Sequence, residues 1–204
     1  DGRYFLQAAE QLKDTGIDLF RLDQEGVPNV KEFLAETLKP GERLGFDGRV
    51  VYAREAEELS QKLEKKGVSI CYQMDLVDLV WDNRPPLSKK AVMILDVQYA
   101  GESRESKIEK IRQKMKQAGA DLFLLTSLDD IAWLLNIRGN DVKCNPVVLS
   151  YLAMMEDQVL LFANREAFSE EIEEELKQAG VFLRDYQEFY SYIQKIPEDT
   201  KVCL

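Results

Sequence analysis

The same local pattern occurs four times along this chain: an amphipathic helical segment, then a glycine, then a short apolar segment. The apolar residues of each first segment recur with the spacing of one helix face, and glycine readily takes the left-handed conformation that ends a helix. Helices that alternate with buried strands predict α/β layers, with helices packed on a parallel or mixed sheet. The four copies are Ala8–Lys13, Gly16 and Ile17–Leu22; Ala56–Lys66, Gly67 and Val68–Tyr72; Lys107–Ala118, Gly119 and Ala120–Thr126; and Glu170–Ala179, Gly180 and Val181–Leu183.

A proline pair divides the four copies into two halves. It belongs to the segment Trp81-Asp-Asn-Arg-Pro-Pro86, and paired prolines continue neither a helix nor a central strand. We therefore predict two related α/β domains, residues 1–85 and 104–204, with residues 86–103 as a linker and lead-in. Residues Asp1–Leu6 are interpreted as the end of a strand whose neighbours would precede it, so we expect the first domain to be truncated at its N-terminus.

The stretch Ser127–Tyr151 carries the clearest local signals. Ser127-Leu-Asp-Asp130 fits a capping box in which the serine hydroxyl accepts a hydrogen bond from the Asp130 amide. The helix that begins there is expected to stop near Asn136–Gly139. A strand is predicted at Val147–Ala153, paired as a hairpin with Val159–Ala163.

Composition excludes several classes of protein. The formal net charge of −10 argues against a nucleic-acid or anionic-membrane partner, and the longest apolar runs are far shorter than the roughly 20 residues of a membrane span. The absence of histidine removes Ser-His and Cys-His nucleophile pairs and histidine zinc sites. No Gly-x-Gly fingerprint of dinucleotide binding is present. Three widely separated cysteines fit reduced thiols in a cytoplasm.

The remaining polar and aromatic clusters have structural interpretations as well as functional ones. Asp129 and Asp130 point about 100° apart on a helix, so a cap and helix-dipole role is favoured over a shared metal. The glutamates of Glu170–Glu175 are expected to form a solvated helix face rather than a metal cage. An aromatic cluster is expected to serve packing rather than ligand binding: Tyr186, Phe189, Tyr190 and Tyr192. Composition alone therefore identifies no active site.

Several motifs in a fixed order connect the chain to a known family. They are Leu128-Asp-Asp-Ile-Ala-Trp-Leu134, Arg138-Gly-Asn-Asp-Val142, Asn145-Pro-Val147 and Ser150-Tyr151, with Asp1-Gly-Arg-Tyr-Phe-Leu-Gln-Ala8 and Trp81-Asp-Asn-Arg-Pro85 before them. Together they resemble the first and second domains of three-domain Xaa-Pro aminopeptidases, the aminopeptidase P branch of the creatinase/prolidase family. The chain departs from the family pattern at Asp130, where glutamate is usual, and at Asn83. The resemblance implies two ribonuclease-H-like, three-layer α/β/α units with five-stranded mixed sheets.

The resemblance also implies a function. Such enzymes hydrolyse the bond between an N-terminal residue and a following proline, with two metal ions, usually Mn²⁺, held in a C-terminal catalytic domain. This chain would then be a non-catalytic N-terminal region that restricts access to the cleft. Its partners would be that domain in cis, a proline-containing peptide and a second copy in a homodimer, in the cytoplasm and without nucleic acid or membrane. The alternatives are a free-standing binding or assembly module that lacks the peptidase domain, and a creatinase or prolidase relative with another substrate.

Three polar residues are candidates for a role in the intact enzyme. The arginine of the family's Asp-Gly-Arg motif contacts substrate, and by resemblance this is Arg3. A guanidinium suits a peptide carbonyl or carboxylate because it offers several fixed donors and stays charged, whereas the structural alternative is that Arg3 pairs with Asp1. Arg138 and Asp141 are expected to fix the loop 136–145 or a domain interface.

Overall fold

The chain forms two compact units, Asp1–Arg84 and Pro85–Leu204, in a computed structural model that describes residues 2–204. The first unit contains helices α1 (Gly2–Gln11), α2 (Val30–Thr37) and α3 (Ala53–Glu64) and strands β1 (Arg43–Gly45) and β2 (Ser69–Cys71). The two strands pair in parallel. A small core forms where α2 and α3 pack beside them, and its buried members are Ala35, Leu59, Leu63 and Val68.

Two predictions for the first unit are wrong. The expected strand at Asp1–Leu6 is helix α1, although Asp1 itself lies outside the described residues. Residues Ile17–Leu22 contain no strand, and the side chains of Ile17, Phe20 and Leu22 are exposed. A strand needs a neighbour to satisfy its backbone N–H and C=O groups. Among residues 2–204 no strand pairs with either segment, so the apolar residues there do not produce strands.

The second unit is built around one mixed sheet. Its elements are β3 (Met93–Ile94), α4 (Val97–Ala100), α5 (Arg104–Ala118), β4 (Leu122–Leu125), α6 (Leu128–Leu135), β5 (Ile137–Arg138), β6 (Ser150–Met154), β7 (Val159–Ala163), a 3₁₀ helix (Arg165–Ala167), α7 (Glu170–Gln178), β8 (Val181–Asp185), α8 (Glu188–Ile193) and β9 (Val202–Cys203). Five strands lie in the order β8-β7-β6-β4-β9. Strand β6 is antiparallel to both neighbours, whereas β8 and β9 are parallel to β7 and β4. Strands β3 and β5 form a separate antiparallel pair.

Side chains alternate between the two faces of this sheet, as the pleat of a strand requires. One face carries Leu152, Leu161 and Leu183, which pack with apolar residues of α5, α6 and α7. The other face carries Ala153 and Phe162 and packs against α8. The predicted α/β class with helices on both faces of a mixed sheet is therefore confirmed in this unit. Within residues 2–204, no helix is both long and apolar enough to cross a membrane.

Three of the four predicted helix–glycine–strand copies are confirmed. Gly67, Gly119 and Gly180 each separate a helix from a strand and have φ values of 73°, 65° and 76°. Only glycine takes this left-handed conformation without strain, so each one ends its helix and lets the chain turn back onto the sheet. The segment interpreted as a linker and lead-in, residues 86–103, includes β3 and α4. It hydrogen-bonds within the second unit, through Val92 N–H to the Ala167 carbonyl at 2.9 Å, for example.

Candidate functional site

Helix α6 is the first element of the stretch Ser127–Tyr151, and the capping box predicted at its N-terminus is not formed. Ser127 occupies the N-cap position but its hydroxyl makes no capping hydrogen bond. Its ψ is 118°, whereas the serines that do cap helices in this chain, Ser103 and Ser169, have ψ values of 156° and 158°. The backbone of Ser127 thus differs from that of the two capping serines. Asp129 and Asp130 still lie in the first turn, where carboxylates interact favourably with the helix dipole.

The C-terminal end of α6 is held by a buried lysine. Asn136 ends the helix in the left-handed conformation, with φ 54° and ψ 36°. The ammonium of Lys107, which is 2% exposed, donates to the Trp133 carbonyl and to Asn136 Oδ1, both at 2.7 Å. It also lies 4.5 Å from the centroid of the Trp133 ring. Burial lowers the pKa of Lys107, against the opposing charge of Glu102. Two oxygens and a ring face thus replace the water that the ammonium has lost.

Two arginines complete this arrangement, which we call the basic cap (Arg104, Lys107 and Arg138). Arg104 is buried, donates to the Leu135 carbonyl at 3.1 Å and pairs with Glu175 at 2.9 Å. Arg138 donates to the Ala132 carbonyl at 2.8 Å. The last carbonyls of a helix lack intrahelical partners and carry its negative dipole end. The basic cap donates to the carbonyls of Ala132, Trp133 and Leu135 and so holds the C-terminal end of α6.

The loop after β5 is fixed by its own backbone and side chains. Asp141 Oδ2 accepts from the Leu149 amide at 2.8 Å. Gly139 lies so close to the returning chain that a Cβ there would be 2.8 Å from Val148 Cγ2 and 2.9 Å from the Val147 carbonyl oxygen. The prediction that these residues fix the loop is therefore confirmed for Asp141, whereas Arg138 holds the C-terminal end of α6.

On the opposite face of the sheet, the predicted aromatic cluster is a packing cluster. The ring of Tyr151 stacks on Phe189 with centroids 4.0 Å apart. The Tyr151 hydroxyl is 3.1 Å from the Tyr190 hydroxyl and accepts from the Tyr186 hydroxyl at 3.2 Å. Burial raises the pKa of Tyr192 beside them. These hydroxyls hydrogen-bond to one another, as buried tyrosines generally require a partner.

A cavity of about 540 Å³ lies beside the start of α5. Three carboxylates line it, from Asp96, Glu105 and Glu175, and Arg104 is the facing cation. Asp96 caps α4 through the Gln98 amide, and Glu175 and Arg104 pair with each other. In the described part of the chain, no group of three or more His, Cys, Asp or Glu side chains could hold a metal ion.

Arg3 lies in the first turn of α1, on the first unit, and it is exposed. The alternative partner predicted for it, Asp1, lies outside the described residues. The Ser127–Tyr151 stretch belongs to the second unit. The two features singled out from the sequence therefore lie in different compact units.

The basic cap was not predicted from the sequence. The helical pattern places Lys107 only at the start of an amphipathic helix, and Arg104 was not considered, because charged residues are seldom fully buried. A signal was present, since Arg104 shares one helix face with Ile108, Ile111 and Met115 at helical spacing. Cations on the apolar face of a helix can indicate buried contacts to neighbouring carbonyls.

Comparison with known proteins agrees with this geometry. The family model described as the creatinase/prolidase N-terminal domain matches residues 83–204. Aminopeptidase P2 of Arabidopsis thaliana is 39% identical over 96% of this chain, and Xaa-Pro aminopeptidase app-1 of Caenorhabditis elegans is 34% identical over 95% of it. The crystal structure of an X-prolyl aminopeptidase from C. elegans, described as a cytosolic enzyme with a di-nuclear active site, has a TM-score of 0.86 and 34% identity.

The chain is much shorter than these relatives. It covers 28% of the Arabidopsis protein and 32% of the C. elegans chain of known structure, about a third of each. The matched region includes both compact units, since it spans at least 95% of the residues. The resemblance based on the motifs is confirmed: the chain belongs to the creatinase/prolidase N-terminal domain family and corresponds to the N-terminal domain region of Xaa-Pro aminopeptidases.

Proposed function

We propose that this chain is the non-catalytic N-terminal region of a protein that releases the N-terminal residue preceding proline. The observation that carries the proposal is the match to the C. elegans enzyme over 95% of the chain, at 34% identity and a TM-score of 0.86. The matched residues include both compact units of this chain. Shared fold alone would support no activity, but shared sequence over the same residues supports a shared role.

In the intact protein, a catalytic domain in cis that holds two Mn²⁺ ions would carry out the peptide hydrolysis. The C. elegans relative is described as having a di-nuclear active site. A metal pair activates a bound water and polarises the scissile carbonyl. The residues described in this chain would restrict access to the cleft, and the protein would work in the cytoplasm, with a homodimer as its expected assembly. We place its domains at residues 1–85 and 104–204, joined through residues 86–103.

Arg3 is the residue that we assign to substrate contact. It is an exposed residue in the first turn of α1. A guanidinium can donate in fixed directions to a peptide carbonyl or carboxylate. A hydrogen bond to a charged group contributes about 1.5–3 kcal/mol, which corresponds to roughly 10- to 150-fold in kcat/KM.

The test is the hydrolysis of a short Xaa-Pro peptide by the intact protein with Mn²⁺ present. We expect release of the first residue, loss of activity with a chelator, and no activity from residues 1–204 alone. Arg3→Ala should lower kcat/KM about 10-fold or more, whereas the control Arg21→Ala, also exposed on the first unit, should not. An intact protein that releases no N-terminal residue would contradict the proposed activity, and unchanged kinetics in Arg3→Ala would contradict the substrate contact.

A further inference from the structure

A groove of about 510 Å³ lies in the first unit, between helix α3 and strand β2. Its lining residues on α3 include Glu57, Ser60 and Glu64, and those on β2 and directly after it include Ile70 and Tyr72. No residue of β1 lines it, so the groove lies on the side of β2 that is away from β1. All of its lining residues belong to the first unit, and the groove is therefore a feature of that unit alone.

Strand β2 has one edge without a partner strand, since within residues 2–204 it pairs with β1 alone. The Ser69 N–H donates to the Glu42 carbonyl at 3.2 Å. The Cys71 carbonyl accepts from the Phe46 N–H at 3.0 Å, so Ser69 and Cys71 direct their backbone groups toward β1. Backbone groups of successive strand residues point to opposite edges, and the N–H and C=O of Ile70 therefore face the open edge. Ile70 offers one donor and one acceptor to an added strand.

The charged residues that line the groove are both acidic. Glu57 and Glu64 are exposed on α3, and at 1.5 Å per residue their positions are about 10 Å apart along the helix axis. In the part of the chain that the structure describes, neither carboxylate pairs with a cation, and Glu64 accepts one hydrogen bond, from the Ser60 hydroxyl at 3.1 Å. Glu58 on the same helix, by contrast, pairs with Lys31. The groove therefore presents two carboxylates to a cationic partner.

We propose that this groove binds an extended, basic segment of another protein as an added strand on β2. Main-chain hydrogen bonds to Ile70 give such a segment its affinity, and its side chains give specificity. Every second side chain of an extended segment lies on the same face, so residues four apart share a face and are about 13 Å apart. Two lysines or arginines at that spacing reach Glu57 and Glu64 through their long, flexible side chains. A small apolar residue midway between them packs near Ala56, which also lines the groove.

The charge of the groove favours this occupant over the two others that an open strand edge admits. An acidic or neutral segment would leave Glu57 and Glu64 without a cation. A second copy of this chain that paired through its own β2 would bring no cation either, because residues 68–72 contain neither lysine nor arginine. An isologous contact uses the same surface on both copies, so it would also bring a second pair of the same glutamates to the interface. Like charges placed close together disfavour association.

The test titrates the peptide acetyl-Thr-Lys-Thr-Val-Thr-Lys-Thr-amide into the ¹⁵N-labelled chain of 204 residues and follows the backbone amides by NMR. We expect a saturable shift of the Ile70 amide and slower hydrogen exchange there. Glu57→Gln and Glu64→Gln should each weaken binding about 2- to 5-fold, the range of an exposed ion pair. The matched control is Glu55→Gln, which is exposed on α3 outside the groove and should leave the affinity unchanged. The measurement needs no catalytic activity.

Two altered peptides separate strand pairing from charge. A peptide with glutamate in place of both lysines should bind about 10-fold more weakly or less, because attraction becomes repulsion. A peptide with N-methyl groups on its three central residues keeps both charges but loses the backbone donors, and it should also bind about 10-fold more weakly. Equal binding of either altered peptide would overturn the inference, as would an Ile70 amide that does not respond. Protection of Ile70 that rises with protein concentration in the absence of peptide would identify a second copy as the occupant instead. Binding to residues 1–204 but not to the intact protein would overturn the inference too, because another part of that protein would then cover the groove.

Discussion

Replacing the buried lysine of the basic cap tests whether that cap holds the second unit together. The ammonium of Lys107 has three partners: the Trp133 carbonyl, Asn136 Oδ1 and the face of the Trp133 ring. Lys107→Met keeps the length and apolar stem of the side chain and removes the charge. The substitution therefore leaves the space nearly filled, Asn136 Oδ1 without the donor it has in the parent, and the Trp133 carbonyl with only the longer 3.4 Å bond from the Asn136 N–H.

The magnitude is set by those two oxygens. A buried acceptor that loses its partner costs about 1–3 kcal/mol, and loss of the cation–π contact adds roughly 0.5–2 kcal/mol. Part of this is recovered, because the variant no longer desolvates an ammonium. The expected net loss is about 2–4 kcal/mol. For a unit of about 120 residues, an unfolding entropy near 2.1 cal/mol/K per residue converts this loss to a fall in Tm of roughly 8–16 °C.

The assay is thermal unfolding at pH 7, with Lys110→Met as the control. Lys110 lies on the same helix, is 63% exposed and pairs with Glu102, so its removal should change the Tm by about 4 °C or less. Equal Tm values for Lys107→Met and the parent would refute the reasoning. They would mean that the free-energy cost of desolvating the ammonium equals the gain from its hydrogen bonds, and that α6 needs no cation at its C-terminal end.

Two further predictions concern the turn at Gly139 and the ion pair between Arg84 and Asp75. Gly139→Ala would place a Cβ 2.8 Å from a methyl group of Val148, so overpacking should lower the free energy of unfolding by about 1–3 kcal/mol in urea. Gly2→Ala, which meets no atom within 4 Å and lies in helix α1, should not destabilise the protein, and an unchanged midpoint in Gly139→Ala would refute the close approach. The hydrogen bond from Arg84 lowers the pKa of Asp75 below its ordinary value of 3.8. The ionised Asp75 therefore stabilises the folded first unit fully above that pH, and this stabilisation is lost as the pH falls through the lower pKa of the folded state. Acid unfolding of the first unit should therefore begin below about pH 3.8, and Asp75→Asn should weaken this acid dependence. An unaltered profile would show that the ion pair of Asp75 with Arg84 does not stabilise the unit.

The parts of the fold that could be predicted from the sequence are those set by local physics. Gly119 and Gly180 end helices because their backbone requires a positive φ, and the sequence shows the residue that permits it. The same reasoning failed at Ile17–Leu22, where the preceding glycine has a positive φ but no strand comes after it. Whether an apolar segment becomes a strand depends on a partner from elsewhere in the chain, and apolar spacing carries no information about that partner.

The candidate site was less predictable. The role of Asp141 in fixing its loop was predicted correctly, because a carboxylate between a helix and a strand lies close to the backbone amides around it. Arg138 instead donates to a carbonyl at the end of α6, which the sequence did not predict. The buried contacts of Lys107 were not predicted, because its partners Trp133 and Asn136 lie 26 and 29 residues away and the local sequence does not identify them. Arg3 stays a prediction, and it depends on a substrate and on parts of the relatives that lie outside this chain.

The pairing of β9 with β4 has a consequence for how the chain folds during synthesis. Strands β6 and β7 close through a turn of a few residues, but the β4–β9 pairing joins residues such as Asp121 and Lys201 across 80 positions. Loop-closure entropy makes that pairing more costly by roughly 2.7 kcal/mol. At about 5–20 residues per second, the ribosome needs roughly 4–16 s to proceed from β4 to β9. During that interval the edge of β4 that faces β9 has unpaired backbone groups, and such an edge can pair with a strand of another chain.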